Sequence, residues 1–286
     1  MIDGLLLLVS GVAAGLFGSL LGLGGGILIV PLLTLGFGVP LLTAVGVSLV
    51  CVIVTSGAAA GVYLERRVAN LRLGMTLELF TATGALVGGL VAYLLPERVL
   101  ELIFTILILY VAATMVRRRE PAPTPPPPTL AADADRDRTL ASDPHPDPAA
   151  RRRPFVETLS GPGYEVRNVP FGIVGSVFAG LASALLGIGG GLIKVPVMHV
   201  IMGVPLRVAT ATSNLMIGIT ASASAIIYLL RGGIDPYAAA PTAIGVFVGA
   251  SVGSRVAHRI RLGLLRGLFV VVLLYTAWQM LQRAVG

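Results

Sequence analysis

The stretch GLFGSLLGLGGGILIVP, residues 15–31, is repeated as GLASALLGIGGGLIKVP, residues 180–196. Both copies place three consecutive glycines inside apolar sequence, followed by a proline. Glycine destabilises a helix interior by about 1 kcal/mol relative to alanine, and proline by about 3 kcal/mol. A straight helix through either copy is therefore excluded, and we predict that the first helix of each copy is broken at the glycines.

The first of these helices divides into two arms of unequal length. Residues 5–21 come close to the roughly 20 residues that a helix needs to cross the hydrocarbon of a bilayer. Residues 27–36 form an arm of about ten residues, enough for about half of that thickness. The pattern predicts a Gly-broken or re-entrant first helix.

The composition places the chain in a membrane. Of its 286 residues, 55% are hydrophobic and only 12% are charged, which is atypical of a soluble domain. The formal net charge is +7, and basic cytoplasmic loops explain this excess better than nucleic-acid binding does. We expect an all-α polytopic membrane protein that contacts the lipid bilayer and no nucleic acid.

An internal repeat extends well beyond the glycine motif. Residues of the first half recur 165 positions later without a gap, from Gly15 and Gly180 to Tyr110 and Tyr275. The sequence between the copies is rich in Pro, Asp and Arg and has no apolar periodicity. We divide the chain into membrane repeat 1 (1–116), a disordered cytoplasmic linker (117–168) and membrane repeat 2 (169–286).

The distribution of arginine predicts that the two homologous repeats are inverted in the membrane. Short loops rich in Lys and Arg stay in the cytoplasm. Repeat 1 has its basic loop at 66–72, whereas repeat 2 has its basic loop at 255–266, one crossing later. An odd number of crossings in each repeat keeps both loops and the linker inside, whereas a parallel arrangement would export the second loop.

The duplicated GxGGGxxxVP motif, at residues 22–31 and 187–196, resembles the TauE/SafE family of sulfite exporters, also called the TSUP transporters. The likeness continues through residues 44–48 and 209–214 and covers both repeats, but not the linker. It implies a secondary transporter of small, often sulfur-containing anions such as sulfite or organosulfonates. It also implies the cytoplasmic (inner) membrane of a bacterium as the location.

The paired glycines are candidates for the site of that small anionic substrate. Two broken helices related by inversion recur as the midplane site of transporters. The N-terminus of a half-helix offers free backbone N–H groups and about half a positive charge. The glycines could instead serve helix packing, but packing motifs space small residues four apart. The candidate glycines are Gly24, Gly25, Gly26, Gly189, Gly190 and Gly191.

Three polar residues join these glycines in the predicted substrate site. Hydroxyl and amide groups donate to an oxyanion without adding a fixed charge, which suits a substrate that must also leave. The alternative for each group is a hydrogen bond to a backbone carbonyl. We select the matched pair Ser48 and Ser213, together with Asn214.

Lys194 is the only lysine of the chain and completes the predicted site. A buried ammonium costs at least about 3 kcal/mol at membrane depth, so it needs a negative partner. That partner is Glu78, Glu101 or the substrate anion itself. The alternative is that the Lys194 side chain reaches the membrane interface.

The sequence contains no HExxH or CxxC motif and no phosphate-binding loop ending in Lys-Ser or Lys-Thr. We therefore expect no enzyme, no metal and no cofactor, and transport driven by a gradient. Two alternatives are a passive anion channel and a receptor whose chromophore is linked to Lys194. The receptor needs aromatic walls and a carboxylate counter-ion, and no residue near Lys194 in the sequence supplies them. The oligomeric state is left open.

Overall fold

A computed structural model describes residues 2–21, 25–65, 69–117, 159–160, 164–256 and 262–285. Regular structure in these residues is helical, as predicted. Within them, four helices are long and apolar enough to cross a membrane. These four are Leu71–Ala92, Val169–Leu186, Val208–Leu230 and Pro236–Gly253.

Ten α-helices make up the described part of the chain, and those of the second half repeat the order of the first. Two short helices, one in each half, continue through a proline as a π-helical turn, Leu32–Gly36 and Val197–Ile201. Such a turn re-satisfies backbone groups where proline has no N–H to donate. The helices are α1 (Ile2–Leu21), α2 (Gly26–Pro31), α3 (Leu41–Glu65), α4 (Leu71–Ala92), α5 (Glu97–Arg117), α6 (Val169–Leu186), α7 (Gly191–Pro196), α8 (Leu206–Leu230), α9 (Pro236–Val256) and α10 (Leu262–Val285).

The predicted helix breaks are present at the glycines. Gly25 and Gly190 precede α2 and α7 with φ of 76° and 73°, a left-handed conformation that favours glycine. Each half-helix then has six α-helical and five π-helical residues. Their length is about 16 Å, about half of the hydrocarbon thickness of a bilayer.

The two halves of the chain pack against each other through reciprocal helix contacts. α1 packs along α9, and α4 packs along α6, so the first helix of each half lies against the other half. Glycines permit these contacts, because a Cβ at Gly15 would collide with the backbone of Val246, and a Cβ at Gly180 with the backbone of Thr81. α3 and α8 pack together, as do α5 and α10, so equivalent helices also meet.

The half-helices lie inside this arrangement. All six residues of α2 are buried, and α7 packs between α6 and α8. Large apolar side chains such as Leu79, Phe178 and Trp278 are instead 60–67% exposed on the outer helices. An apolar exterior around a core that contains polar groups is the arrangement expected in lipid.

The predicted disordered linker, 117–168, lies largely outside the described residues. Its last residues approach the helices, where Leu159 and Val166 are buried. The side-chain amide of Asn70 donates to the carbonyl of Leu159 and to the hydroxyl of Tyr164. The C-terminal end of this segment therefore contacts the start of α4.

Candidate functional site

The two helix breaks meet in the interior, and Ser48 joins them. Its hydroxyl donates to the carbonyl of Gly187 at 2.7 Å and lies 3.2 Å from the carbonyl of Gly26. A Cβ at Gly26 would lie only 2.6 Å from the same Gly187 oxygen. Gly26 therefore permits the closest approach of the two breaks, and Ser48 bonds to the backbone.

Ser213 is the counterpart of Ser48 in the second half, and its hydroxyl behaves differently. Ser213 is 1% exposed, and its Oγ has no hydrogen-bond partner among the described residues. The Oγ of Ser183 is likewise buried without a partner. Burying a hydroxyl without a hydrogen-bond partner costs about 1–3 kcal/mol of folding free energy. Two such hydroxyls therefore need an explanation, and donors left free for a ligand provide one.

Both free hydroxyls belong to residues beside the start of the second half-helix. A Cβ at Gly191 would lie 3.5 Å from Ser213 Oγ, and a Cβ at Gly190 would lie 3.4 Å from Ser183 Cβ. The helical segment Gly191–Ile201 directs the positive end of its dipole toward these residues. Hydroxyl donors, a half-helix N-terminus and glycines that expose the backbone together suit an oxyanion.

Lys194 forms a buried ion pair with Glu78. Its Nζ donates to Glu78 Oε2 at 2.9 Å and lies 2.5 Å from Thr220 Oγ1. Thr220 in turn donates to Glu78 Oε1 at 2.6 Å. All three residues are 4% exposed or less. The alternative in which Lys194 reaches the membrane interface is therefore wrong, and Glu78, rather than Glu101, is its partner.

This ion pair connects three helices from both halves of the chain. Glu78 belongs to α4, Lys194 to α7 and Thr220 to α8. Two opposite charges in contact avoid the cost of an isolated charge at membrane depth. Glu78 also supplies a carboxylate beside Lys194, which the neighbouring sequence lacks. A chromophore receptor therefore has its counter-ion, and the argument against it from the sequence no longer holds.

The remaining predicted site residues are placed as follows. Gly24 lies outside the described residues. Gly25 and Gly190 occupy equivalent positions before the half-helices, and Gly189 packs against Val52 and Ile217. Asn214 is half-buried, and its main-chain carbonyl accepts a hydrogen bond from Ser56. The structure thus brings Gly190, Gly191 and Ser213 together, whereas Ser48 and Gly26 serve the contact between the breaks.

Sequence reasoning did not select Ser183 or Thr220 for the site. Ser183 replaces Gly18 of the first half, and this departure from the repeat is the signal that could have found it. Thr220 matches Thr55 in the repeat, and many membrane-helix threonines bond only to their own backbone. Its role becomes visible only through its contact with Glu78.

One short segment matches a hydrolase sequence motif but lacks the strand-to-helix turn in which that motif functions. Residues 249–253, GASVG, match the GxSxG pattern of serine hydrolases. They lie within α9, where Gly249 and Gly253 pack against α1, and not at a strand-to-helix turn. Among the described residues, no three His, Cys, Asp or Glu side chains are grouped to hold a metal ion.

These features define a class: a polytopic helical membrane protein in which each half of the chain contains one glycine-broken half-helix. The sequence pattern of the family described as Sulfite exporter TauE/SafE matches residues 7–280. The chain therefore belongs to the sulfite exporter TauE/SafE family, which confirms the resemblance noted from the glycine motifs.

Two relatives agree with this assignment. The chain is 23% identical over 290 residues to the Probable membrane transporter protein YunE of Bacillus subtilis (strain 168), with 98% of each chain covered. It is 27% identical over 230 residues to the Probable membrane transporter protein MJ0441 of Methanocaldococcus jannaschii, covering 78% of this chain and 72% of the relative. No solved structure matches the chain.

Proposed function

We propose that the protein is a secondary transporter of small anions, driven by a gradient, with its substrate site beside the start of α7. The observation that carries this proposal is the pair of buried hydroxyls, Ser183 and Ser213, that lack a partner in the described structure. They adjoin Gly190 and Gly191, where the half-helix dipole favours negative charge. Neutral donors hold an anion without trapping it.

Sulfur oxyanions are the proposed substrate class. Sulfite and organosulfonates present several acceptor oxygens around one sulfur atom, which matches hydroxyl donors and backbone N–H groups that converge from different helices. The family's description, Sulfite exporter TauE/SafE, supports this class. The protein would act in the cytoplasmic membrane of a bacterium, surrounded by lipid.

Alternating access between inverted repeats is the proposed mechanism. The packing of α1 with α9 and of α4 with α6 is reciprocal, which supports a pseudo-two-fold relation between the halves. Inverted repeats rocking about a site at their interface expose that site to one side at a time. With no phosphate-binding loop in the sequence, a solute or ion gradient supplies the energy.

Transport in proteoliposomes tests this function. Purified protein should exchange external radiolabelled sulfite, methanesulfonate or isethionate for the same anion trapped inside. Accumulation against the external concentration during such counterflow distinguishes a carrier from the alternative, a passive anion channel. Equilibration without accumulation would favour the channel, and no movement of any of these anions would refute the proposed substrate class.

Three alanine variants locate the site. Ser183→Ala and Ser213→Ala should each weaken the apparent affinity by about tenfold, because each removes one donor to a charged oxygen. Ser222→Ala is the matched control, since the Ser222 hydroxyl donates to Gly218 of its own helix. Unchanged affinity in both test variants would place the anion elsewhere.

A further inference from the structure

We propose that the Glu78–Lys194 ion pair is the proton-coupling site of the transporter, and that one proton moves with each singly charged anion. This inference rests on the proposed function, because it assigns the coupling ion of the same transport cycle. In the structure the pair is closed: Lys194 Nζ lies 2.9 Å from Glu78 Oε2, with Thr220 bonded to both. The closed pair has no net charge.

Charge balance in the buried site sets the stoichiometry. An anion that entered beside the closed pair would add an uncompensated negative charge at membrane depth, which is strongly unfavourable. A proton that binds the Glu78 carboxylate releases the Lys194 ammonium, and this ammonium then pairs with the anion. The site holds Glu⁻ and Lys⁺ before loading, and neutral Glu, Lys⁺ and one monovalent anion after it. Both states are neutral.

The position of Lys194 suits this exchange of partners. It lies three residues after Gly191, so its side chain leaves the first turn of the half-helix whose start adjoins Ser183 and Ser213. Side chains in a helix lean toward its N-terminus, and the four-carbon stem of lysine is flexible. The equivalent residue of the first half is Ile29, so only the second half-helix carries the charge.

Thr220 makes the pair responsive to protonation. In the closed state its hydroxyl donates to Glu78 Oε1 and lies beside Lys194 Nζ. The same hydroxyl lies 3.1 Å from the carbonyl of Met216, one turn earlier in α8. Once Glu78 is protonated, Thr220 can turn its donor to that carbonyl, so the hydroxyl keeps a partner in both states.

Other titratable groups of the surrounding helices stand apart from this pair. α4 and α7 both pack against α6 and α8, and the α6 sequence contains no charged or titratable residue. On the other elements, Arg72 is exposed at the start of α4, and His199 is exposed on the turn after α7. Arg207 is the second residue of α8, more than three turns before Thr220, and Tyr228 donates to the carbonyl of Ala184. Glu78 is therefore the acidic group that a proton would reach beside Lys194.

Proton movement is measured together with anion movement in the wild-type protein. Sulfonates remain singly charged across the assay pH range, so any proton that accompanies them is carried by the protein. Proteoliposomes containing a pH-sensitive dye should acidify as radiolabelled methanesulfonate or isethionate enters, with one proton for each anion. The divalent methanedisulfonate should compete at least about tenfold more weakly, because its second charge stays unpaired.

Glu78→Gln isolates the coupling step. The amide imitates the protonated carboxyl, leaves Lys194 free to pair with the anion, and cannot release a proton. Exchange of sulfonate for sulfonate should persist and lose its dependence on pH, whereas net uptake should fall about tenfold or more. Glu101→Gln is the matched control, since Glu101 lies on α5 and is not part of the pair; it should behave as wild type.

Each outcome separates the coupling inference from the proposed function. Sulfonate uptake without acidification in the wild type, or net proton-coupled uptake retained by Glu78→Gln, would overturn the coupling inference and leave anion transport standing. Absence of any sulfonate or sulfite movement in the wild type would overturn the proposed function and, with it, this inference. Where Glu78→Gln does not reach the membrane, Lys194→Met is the second variant: it removes the cation of the pair, and one proton for each anion retained by Lys194→Met would overturn the coupling inference.

Discussion

Ser48 and Ser213 occupy equivalent positions of the two repeats, and we predict that alanine at these positions changes stability in opposite directions. Both residues are 1% exposed or less. Ser48 donates a 2.7 Å hydrogen bond to the carbonyl of Gly187, whereas the Ser213 hydroxyl has no partner in the described structure. The same chemical change therefore removes a bond at one position and an unpaired donor at the other.

The size of both effects follows from these contacts. Ser48→Ala loses one hydrogen bond and deprives a buried carbonyl of its donor, which should lower the free energy of unfolding by about 1–3 kcal/mol. Ser213→Ala removes the desolvation penalty of an unpaired hydroxyl and loses the packing of one oxygen atom, for a net gain of about 1 kcal/mol. A change of 1 kcal/mol corresponds to about 2–4 °C in Tm for a chain of roughly this size.

Thermal unfolding in detergent, followed by the loss of helical circular dichroism and without added anion, measures both changes. Ser213→Ala should melt above wild type and Ser48→Ala below it. Ser222→Ala should stay within about 0.5 kcal/mol of wild type, because its hydroxyl only bonds back to Gly218. A Tm for Ser213→Ala as low as that of Ser48→Ala would show that Ser213 has a partner inside the protein, and the anion site would lose its main support.

Three further predictions concern the breaks, the topology and the linker. Gly26→Ala should destabilise the protein by about 1–3 kcal/mol, since its Cβ would lie 2.6 Å from the Gly187 carbonyl; Gly57→Ala, in open space within α3, should be neutral or stabilising by up to about 1 kcal/mol. In a variant lacking Cys51, single cysteines introduced at 67 and 258 should resist an impermeant thiol reagent in intact cells, and labelling at 258 would contradict the inverted arrangement. Deletion of residues 121–150 should preserve transport measured in proteoliposomes, because the Pro- and Asp-rich sequence of this segment predicts a tether that adds reach and little structure. Loss of transport at normal protein levels in the membrane would show that transport needs the linker.

Local sequence was sufficient to predict the helix breaks and the repeat. Consecutive glycines and a nearby proline weaken a helix wherever it packs, so the boundaries of α2 and α7 follow from residues 22–31 and 187–196. The hydrophobic composition likewise determines that the helices face lipid. These properties depend on neighbours in the chain and on the solvent, both of which the sequence specifies directly.

Matching positions in the repeat did not predict matching roles. Ser48 and Ser213 are equivalent in sequence, yet only Ser48 lies within hydrogen-bond distance of the carbonyls of both breaks. Whether the serine hydroxyl reaches a carbonyl depends on how closely its helix approaches the glycine break of the other half. Packing between the halves sets that distance. Ser183 was missed for the same reason, because a lone serine in an apolar helix usually bonds to its own backbone.

The sequence by itself determined that Lys194 needs a negative partner, because a lone ammonium is too costly in a membrane interior. Only the tertiary structure decided that the partner is Glu78, which is 116 residues away in the chain, and that Thr220 bonds to both. From the sequence, Glu78, Glu101 and the substrate anion were equally good partners, since each carries the negative charge that Lys194 needs. The choice depends on tertiary packing: α4 and α7 both pack against α6 and α8, which brings Glu78 to Lys194, and no local sequence pattern encodes these contacts.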